Sequence, residues 1–557
     1  MQVRQLIAET LYTAVEQAIR QGSLPAVTVP SELVERPQNP ENGDFASNIA
    51  MRLAKMARMK PLDIANAIAP SIEISGPIGM VEVAPPGFIN IHLAQAWLQQ
   101  QIDPIREEPS QFGNTATGLG RRVQIEFVSV NPTGPVHVGH ARGAVLGSAL
   151  ANALSAGGFD VTREYYVNDA GTQMDLFYRS SFARYAQACG RNEIEIPTDG
   201  YQGEYLIELG KQLAEEHGNR FLTMAYEQAI AELGQISLEE MLSAIRQDLE
   251  GIGVEFDVWF QERTLFETGA YDDTMAYLKE QSLTTKREGA VWFQSSLLGE
   301  EKDNVLIRST GQPTYFASDI AYHRDKFLSR KFDQVINIWG ADHQGHVGRM
   351  KAVAKALAIN PDRLTILISQ LVTLKSGGDI VRASKRTGQI ITLADLVEEV
   401  GADACRYFFL SRAAESQMDF DLELAKREAP DNPVYYVQYA HARIAGILRQ
   451  AEGRGIDWSD GDTSLLSDHA ELGLVRKMLL LPEHIDSIGV TLAPHVLAHY
   501  AVELATAFHL FYDRCRVMSS DPQDNQIMKA RLKLVESAKA ALARTLEIMG
   551  MSTPESM

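Results

Sequence analysis

Strand-like and helix-like segments alternate through the middle of this 557-residue chain. Residues 123–130 are rich in β-branched and apolar residues, as in a buried strand. After His137, apolar residues recur at helical spacing until Gly157 and Gly158 end the helix, and residues 161–167 are again strand-like. Such alternation is typical of a parallel sheet whose strands are joined by crossover helices. We therefore expect an α/β domain with a parallel sheet here.

The sequence predicts three domains. Residues 1–108 form a small mixed module, with a helical run at 45–59 and strand-like alternation at 88–93. A linker follows, and residues 119–430 hold the strand–helix alternation, with further strands at 334–339 and 364–374. Residues from about 180 to 295 are charged and helix-prone, which predicts insertions into the sheet domain. Residues 431–557 show only helical periodicity and predict an all-α domain.

Composition excludes several classes of protein. No apolar run reaches the roughly 18 residues of a membrane span, and no secretory leader opens the chain, so we expect a soluble, cytoplasmic protein without a membrane partner. The three cysteines are far apart, which excludes a disulfide framework and a cysteine zinc site. The formal charge of −20 argues against a protein that coats DNA or RNA non-specifically.

Residues 131–140, Asn-Pro-Thr-Gly-Pro-Val-His-Val-Gly-His, lie where a strand ends and a helix begins. Open α/β sheets bind ligands at such places. His137 and His140 are three residues apart, beside the unpaired N–H groups and the positive dipole end of the first helical turn. That turn favours phosphate, and Gly139 lets a flat group approach the backbone. Alone, the pair is also compatible with metal ligands or with surface histidines.

A basic segment, Val-Arg-Ala-Ser-Lys-Arg-Thr-Gly, occupies residues 381–388. It follows a Gly-bearing turn at 376–379 and precedes a helix that is predicted to start at Thr392. A loop that presents Ser384 and Lys385 beside a sheet edge would neutralise a leaving pyrophosphate. Taken singly, the segment is equally compatible with a solvated basic loop.

Together, these two segments carry a family resemblance. His137-Val-Gly-His140 resembles the H-I-G-H signature of class I aminoacyl-tRNA synthetases, and Arg-Ala-Ser-Lys-Arg at 382–386 resembles their K-M-S-K-S loop. Within that class the chain most resembles the arginyl-tRNA synthetase family, over essentially its full length. The similarity extends to residues 42–48, 86–90, 126–137, 315–322, 340–346, 401–407 and 432–443.

The resemblance implies a multidomain fold and a reaction. The fold would be a Rossmann-like parallel-sheet catalytic domain with helical insertions, a small α/β N-terminal domain that contacts tRNA, and an all-α C-terminal anticodon-binding domain. The reaction would be ATP-dependent attachment of L-arginine to tRNA(Arg) through arginyl-adenylate, releasing AMP and pyrophosphate, with Mg²⁺ accompanying ATP. Neither step needs an enzyme nucleophile, so catalysis would rest on alignment and on charge stabilisation at the phosphates. We expect a monomer.

The resemblance also assigns the catalytic and ATP-binding residues. The catalytic residues would be His137, His140 and Lys385, and the ATP-binding residues would be Pro135, Gly139, Arg382, Ser384 and Lys385. Two positions depart from the family pattern, because Arg382 replaces the first lysine of the loop and Ala383 replaces methionine. Arginine keeps the charge of lysine but not its geometry, so we give Lys385 the greater weight.

Selection of arginine requires a carboxylate that meets the guanidinium fork. Asp319 is the predicted carboxylate, and it lies four residues after Tyr315, so the two side chains would face one pocket if the segment is helical. The other predicted arginine-binding residues are Ser129, Asn131, Asp342 and His343. Asp319 is also compatible with a helix cap, and Asn131 with a turn residue.

RNA-binding proteins stack unpaired bases on aromatic rings. The predicted tRNA-binding residues of the helical domain are Tyr435, Tyr436, Tyr439, Phe511, Arg443, Arg514 and Arg516, and those of the N-terminal module are Phe88, Asn90 and Arg52. Taken singly, most of these aromatic residues are more readily explained as part of a hydrophobic core.

Two other functions remain open on the residues alone. A zinc or di-metal hydrolase centre would form if distant side chains converged, namely His137, His140, Asp342, His343 and His346. That interpretation leaves Ser384 and Lys385 without a role, whereas the synthetase interpretation needs no protein-held metal. A non-catalytic RNA-binding relative is the other function, and the intact signature residues argue against it.

Overall fold

The computed structural model describes residues 3–30, 34–381 and 391–557. Its N-terminal elements are, in chain order, α1 (Val3–Arg20), β1 (Phe45–Ser47), α2 (Ile49–Ala57), α3 (Pro61–Ile68), β2 (Ile78–Ala84), β3 (Phe88–Leu93), α4 (Gln95–Gln100) and α5 (Ile102–Glu107). Strands β1, β3 and β2 form an antiparallel sheet with β3 in the centre. The mixed α/β character predicted for this module is confirmed.

The helix predicted at residues 45–59 begins later than expected. The first three of these residues form β1, whose Phe45 lies opposite Ile91 of β3. Gly43 permits this close pairing, because its φ is +92° and a Cβ at its position would lie 2.7 Å from the carbonyl oxygen of Ile91. The approach of the chain to β3 thus turns an apparently helical start into a strand.

The central part of the chain carries most of the elements. Its first half contains β4 (Arg122–Glu126), α6 (Val138–Ala156), β5 (Asp160–Val167), α7 (Thr172–Ala188), α8 (Glu204–His217), α9 (Tyr226–Glu250), β6 (Val258–Gln261), α10 (Arg263–Glu267) and α11 (Ala270–Glu280). Its second half contains β7 (Thr284–Arg287), β8 (Ala290–Phe293), β9 (Asn304–Ile307), α12 (Tyr315–Arg324), β10 (Gln334–Gly340), α13 (Val347–Ala356), β11 (Leu364–Ser369), β12 (Val372–Ser376), β13 (Asp379–Ile380), α14 (Leu393–Val400), α15 (Ala402–Leu410), β14 (Met418–Asp421) and α16 (Leu422–Ala425).

The predicted parallel sheet is confirmed, with strand order β11-β10-β4-β5-β6. The order reverses between β4 and β10, because the chain first builds outward to β6 and then returns to the other side of β4. Strand β6 was not predicted, since it lies inside the region 180–295 that was expected to hold insertions only. Its four residues at the sheet edge are too few to show a strand period in the sequence.

The strand predicted at residues 364–374 is in fact two strands. Strand β11 belongs to the main sheet, whereas β12 pairs with β13 and β14 in a second sheet. The break falls at Gln370, whose carbonyl oxygen accepts a hydrogen bond at 3.0 Å from the buried guanidinium of Arg142 on α6. Arg142 also donates to the carbonyl oxygen of Ser416 at 2.7 Å, so it fixes this second sheet against α6.

The described chain after residue 432 is helical, which confirms the predicted all-α domain. Its helices are α17 (Pro433–Gly453), α18 (His469–Met478), α19 (Leu481–Thr491), α20 (Val496–Arg514) and α21 (Asn525–Met549). Across the described ranges, no helix combines the length and the apolar character that a bilayer crossing requires.

One buried arginine joins the helical domain to the sheet domain. Arg406 on α15 is 1% exposed. Its guanidinium donates to the carbonyl oxygens of Ile252 and Met549, both at 2.7 Å, and to the Ser148 hydroxyl at 3.0 Å. Since Ser148 lies on α6 and Met549 ends α21, these hydrogen bonds hold the last helix of the chain against the helix that starts with the histidine segment.

Replacing Arg406 with methionine would leave these buried acceptors without donors. We expect R406M to lower the free energy of unfolding by about 3 kcal/mol or more, as measured by urea denaturation. The matched control is R449M, because Arg449 is half exposed and lies 3.4 Å from Glu555. That variant is expected to stay within about 0.5 kcal/mol of the parent protein. Equal effects of the two substitutions would contradict the role assigned to Arg406.

Candidate active site

The carboxyl ends of β4 and β10 mark the point at which the strand order reverses. Open α/β sheets bind ligands in the crevice at such a point. Strand β4 ends at Glu126 and leads through residues 127–137 into α6, while β10 ends at Gly340 and leads into a short 3-10 helix, Ala341–His346. The predicted site residues of both segments therefore lie at the same edge of the sheet.

The two signature histidines lie against each other. His137 is the N-cap residue of α6, with extended backbone, and His140 lies in the first turn, with the ring centroids 3.7 Å apart. Burial lowers the pKa of both rings, and the neighbouring His137 helps to lower the pKa of His140 to about 4. Nδ1 of His140 is buried and has no hydrogen-bond partner in the described part of the chain. A neutral imidazole with such an unpaired nitrogen suits a ligand that supplies the partner.

Gly139 lies next to His137 at the mouth of a cavity. A Cβ at Gly139 would lie 3.1 Å from the His137 ring, closer than ordinary van der Waals contact. The cavity has a volume of about 350 Å³ and is lined by His137, Val138, Gly139, Val372, Thr373, Leu374, Ile380, Val381 and Ile391. A larger residue than glycine would displace the His137 ring or narrow this cavity. The close approach of a flat ligand group to Gly139 stays a prediction.

The cavity is also lined by described residues on either side of the segment 382–386, the second signature segment. Val381 precedes that segment and lines the cavity, and Ile391 follows it and also lines the cavity. The Ile391 carbonyl oxygen accepts a hydrogen bond from the Val138 N–H at 3.2 Å. The predicted pyrophosphate-binding side chains lie outside the described residues; they are Arg382, Ser384 and Lys385.

Acidic side chains follow three neighbouring strands of the sheet. Glu126 ends β4, Asp169 comes two residues after β5, and Glu262 comes directly after β6. Asp319 of α12 joins them, because the charges of Glu126 and Glu262 act on its pKa. The pKa of Tyr166 is raised well above its usual range by burial and then by all four carboxylates, so its phenol lies among them. We call these four acidic residues the carboxylate cluster.

Two members of the carboxylate cluster have cationic partners. Nζ of Lys326 lies 2.6 Å from Oε2 of Glu126, and Nε of Arg263 lies 3.2 Å from Oδ2 of Asp169. Both carboxylates are buried, so these cations offset charges that would otherwise be costly. The charge of these two members is therefore balanced within the protein.

The other two members, Glu262 and Asp319, form no ion pair within the described residues. Burial raises the pKa of Glu262 above its ordinary value. Burial, followed by repulsion from Glu126 and Glu262, raises the pKa of Asp319 to about 7. The charges of Arg349 and Lys326 lower the pKa of Asp319 but offset only part of this rise, and a cationic ligand would favour the ionised carboxylate.

Tyr315 and Ser129 lie beside the carboxylate cluster, and their roles in binding arginine stay predictions. Tyr315 opens α12, so it shares a helix face with Asp319 one turn later. Burial raises the pKa of Tyr315 and the charge of Glu262 raises it further, which places the phenol near that carboxylate. The Ser129 hydroxyl donates to Oε1 of Glu126 at 3.2 Å.

Three other predicted site residues lie at the border of the cluster or nearer the histidines. Asn131 is exposed, and its amide donates to Gln173 at 2.8 Å. Asp342 and His343 are exposed, with Oδ2 and Nε2 3.3 Å apart, and the charge of Asp342 partly offsets the lowering of the His140 pKa. These two residues therefore lie on the histidine side of the crevice. Their predicted roles in binding the amino acid stay predictions.

Three family models match successive parts of the chain. The arginyl tRNA synthetase N terminal domain matches residues 3–93, the class I (R) tRNA synthetase catalytic domain matches residues 105–417, and the DALR anticodon binding domain matches residues 437–557. The chain belongs to the arginyl-tRNA synthetase family.

Curated relatives and a solved structure agree with this assignment. The arginine–tRNA ligase of Dehalococcoides mccartyi is 52% identical, covering 100% of this chain and 99% of its own. That of Carboxydothermus hydrogenoformans is 47% identical over 97% of both chains. The Thermus thermophilus arginyl-tRNA synthetase structure covers 100% of both chains with a TM-score of 0.75 at 22% identity, which shows the common fold. The predicted multidomain class I fold is confirmed.

Aromatic residues of α17 and α20 form a cluster in the helical domain. Tyr435 and Tyr439 are one turn apart and stack with ring centroids at 5.9 Å, and His509 stacks on Tyr439 at 6.2 Å. The Arg443 guanidinium lies 4.3 Å from the centroid of the Tyr512 ring. We call these five residues the aromatic platform, and Tyr439 within it is 38% exposed. The platform has the composition of a surface on which bases stack.

The structure corrects two of the residues that were predicted to contact RNA. Phe511 is fully buried in the helical domain, and Asn90 is 5% exposed because it lies on the central strand β3. Neither side chain is therefore available to RNA in this structure. Phe88 is half-buried at the start of β3, and the exposed Arg514 lies 2.9 Å from Asp468, so both stay predictions.

Sequence reasoning missed the acidic partners of Asp319. Glu262 follows strand β6, which was itself overlooked, and Glu126 was noted only as part of a motif. One signal in the sequence could have found them, namely an acidic residue at the carboxyl end of each of several strands. In a parallel sheet these ends lie at the same edge, so such residues come close together. Over the described ranges, no three His, Cys, Asp or Glu side chains group as metal ligands, so the convergence that a hydrolase centre requires is not found there.

The raised pKa of Asp319 makes a prediction about stability. The Asp319 carboxyl group keeps its proton up to pH about 7 in the folded protein, but only to pH about 4 in the unfolded chain. The free energy that folding loses by ionising Asp319 therefore grows between these pH values and is constant above them. D319N cannot ionise, so we expect it to raise the free energy of unfolding by about 2 kcal/mol at pH 8, with a gain that shrinks toward pH 4.

Urea denaturation at several pH values measures this gain. The control is D362N, at an exposed aspartate before β11, which should change stability by less than about 0.5 kcal/mol at every pH. If D319N instead lowers the free energy of unfolding at pH 8, ionisation of Asp319 does not destabilise the folded protein, and the prediction is wrong.

Proposed function

We propose that this chain attaches L-arginine to tRNA(Arg) with ATP, and that the carboxylate cluster and the histidine pair bind the two small substrates side by side. The reaction class follows from the family, because the chain is a class I aminoacyl-tRNA synthetase. The observation that carries the proposal is that the carboxyl groups of Glu262 and Asp319, which form no ion pair within the described residues, lie at the same sheet edge as His137 and His140.

The guanidinium of arginine fits the carboxylate cluster in charge and in donor number. It presents five N–H donors in a planar fork that matches carboxylate oxygens two at a time. Asp319 and Glu262 would supply the uncompensated oxygens, Glu126 a further acceptor, and Tyr315 a phenol at the rim. Lysine, with a single ammonium, would satisfy fewer of these acceptors, and an uncharged amino acid would leave the buried charge unbalanced.

The first chemical step joins arginine to AMP. A carboxylate oxygen of arginine attacks the α-phosphorus of ATP, the bond from that phosphorus to the bridging oxygen breaks, and pyrophosphate leaves. His137, His140, Gly139 and Pro135 are proposed to hold ATP, together with the N–H groups that open α6. Loss of one such donor commonly slows a reaction by about 10²–10³-fold. Ser129, Asn131, Asp342 and His343 are proposed to orient the amino acid for attack.

Lys385, with Ser384 and Arg382, is proposed to hold the departing pyrophosphate. This part rests on the sequence, and the positions of Val381 and Ile391 beside the histidine cavity support it. Negative charge builds on the leaving oxygen as its bond breaks, so an ammonium there stabilises the transition state more than the bound substrate.

Mg²⁺ is proposed to enter with ATP. Of the side chains that the structure describes, no three are grouped as metal ligands, so a magnesium cage built by the protein alone does not fit. We therefore assign no step to the ion.

The second step moves the arginyl group to tRNA, when a terminal ribose hydroxyl attacks the carbonyl carbon of arginyl-adenylate and AMP leaves. We propose that residues 119–430 perform both steps, that residues 431–557 bind the anticodon loop through the aromatic platform and Arg514, and that residues 1–108 contact tRNA elsewhere through Phe88. A monomeric state and a cytoplasmic location stay part of the proposal.

An aminoacylation assay tests the proposed substrate. We expect the protein to charge total tRNA with arginine when it is offered ATP and each of the amino acids in turn. D319N should lower kcat/KM for arginine by about 100-fold or more, because it removes a charged partner of the guanidinium, with the KM for ATP within about twofold.

D362N, which alters an exposed aspartate of the same domain, is the control and should behave as the parent protein. Charging with a different amino acid, or unchanged arginine kinetics in D319N, would contradict the assignment of the carboxylate cluster.

The aromatic platform makes a separate prediction about tRNA. Y439A removes the exposed ring at its centre and should raise the KM for tRNA about tenfold, since stacking on one base contributes roughly 1–3 kcal/mol. The KM for arginine should not change. Y226A, at a tyrosine of the α9 helix that is 53% exposed, is the control. If both substitutions change the KM for tRNA equally, the platform is not the anticodon surface.

A further inference from the structure

A lysine lies fully buried behind the carboxylate cluster. Lys326 is 0% exposed, and its Nζ donates to Oε2 of Glu126 at 2.6 Å and to Oδ1 of Asn337 at 3.2 Å. The same nitrogen lies 4.0 Å from the centroid of the Tyr322 ring. Burying an ammonium is costly unless it is paired and hydrogen-bonded, so the position of Lys326 is explained by the groups that it meets.

An uncommon backbone conformation brings Lys326 to this position. Residues Asp325–Ser329 form a π-helix that continues α12, and the Arg330 N–H donates to the Asp325 carbonyl oxygen at 2.9 Å, a step of five residues. Single π-helical turns inside α-helices frequently occur at functional sites. Here the turn places Lys326 over the sheet, on the same stretch of chain that supplies Asp319.

Hydrogen bonds connect Lys326 to Asp319 through two intervening side chains. Asn337 accepts from Lys326 and its amide nitrogen lies 2.9 Å from Nε2 of His323. Nδ1 of His323 lies 2.8 Å from the carbonyl oxygen of Asp319. Burial and the charge of Lys326 lower the pKa of His323 to about 3, so this ring is neutral. A neutral His323 ring that donates from Nδ1 and accepts at Nε2 completes the hydrogen bonds between Asn337 and the Asp319 carbonyl oxygen.

The charge of Lys326 is directed at Glu126 rather than at the other buried carboxylate nearby. Glu164 lies beside Glu126 on the neighbouring strand. It already accepts two hydrogen bonds from Arg330, at 2.5 and 2.9 Å, and one from the Tyr322 hydroxyl at 2.5 Å. Lys326 therefore has Glu126 as its close anionic partner.

We propose that Lys326 is a positioning residue for selection of the amino acid. It holds the Glu126 carboxylate directly, and through Asn337 and His323 it is connected to the backbone carbonyl oxygen of Asp319. It thereby fixes Glu126 relative to the helical turn that carries Asp319, and these two residues would receive the guanidinium. This inference rests on the proposed function, because it needs arginine to be the ligand of the carboxylate cluster. Without the ammonium, Glu126 would be a third uncompensated carboxylate, and it would take up a proton or turn away from the cluster.

Steady-state aminoacylation by K326M tests the inference, since methionine keeps most of the volume and removes the charge. We expect the KM for arginine to rise about tenfold or more, with the KM values for ATP and tRNA within about twofold of the parent protein. A loss of folding stability alone would not raise the KM for arginine while leaving the KM values for ATP and tRNA unchanged. A selective rise in the KM for arginine therefore distinguishes a positioning role from a purely structural one.

The control is K351M, which removes another lysine of the same domain. Nζ of Lys351 donates to the carbonyl oxygens of Pro361 and Leu364 at the start of β11, away from the carboxyl ends of the strands. We expect K351M to lower the melting temperature and to leave the KM for arginine unchanged.

N337S provides a second variant in case K326M does not fold. It keeps the Lys326–Glu126 pair and removes the amide that connects Lys326 to His323, so the KM for arginine should rise about threefold. If the folded variants keep the KM for arginine within about twofold of the parent protein, Lys326 only balances a buried charge and the inference is wrong. If the parent protein itself does not charge tRNA with arginine, the proposed function fails instead.

Discussion

Two carboxyl groups that form no ion pair within the described residues, those of Glu262 and Asp319, are the constraint on which this active site depends. Burying a carboxylate is costly, and proteins ordinarily pair it with a cation. The chain does so for Glu126 with Lys326 and for Asp169 with Arg263, yet Glu262 and Asp319 in the same cluster stay without an ion pair within the described residues. A site of this kind favours a cationic ligand before any contact geometry is considered, and guanidinium adds the matching donors.

The parallel sheet creates this cluster because the carboxyl ends of its strands meet at one edge. Strands β4, β5 and β6 each deliver an acidic residue there, and α12 adds Asp319. The histidine pair occupies the start of α6, immediately beyond β4. The same helix is held to the second sheet by Arg142 and to the last helix of the chain by Arg406. Helix α6 therefore connects the histidine side of the crevice with the helical domain.

Much of this arrangement could be predicted from the sequence, for physical reasons. Local patterns can be recognised in the sequence alone. They include the alternation of strand and helix, the turn at residues 131–140 and the helical spacing of Tyr315 and Asp319. What could not be predicted depends on long-range pairing. Strand β6 is too short to show a strand period, so nothing in the sequence places Glu262 at the end of a strand. Strand β1 forms because Gly43 lets the chain approach Ile91 closely. The hydrogen bonds between Lys326 and His323 pass through Asn337 of β10, and no spacing in the sequence reveals that contact.

The most direct measurement of the central claim is the number of protons that arginine releases on binding. Isothermal titration calorimetry of arginine into the tRNA-bound protein, in buffers of different ionisation enthalpy, gives this number. Because the pKa of Asp319 is about 7 in the free protein, a guanidinium that pairs with its ionised form must expel a fraction of a proton near that pH. We predict net proton release in the parent protein and none in D319N. Arginine binding with proton uptake, or without any exchange in the parent protein, would contradict the claim that uncompensated carboxylate charge selects the substrate.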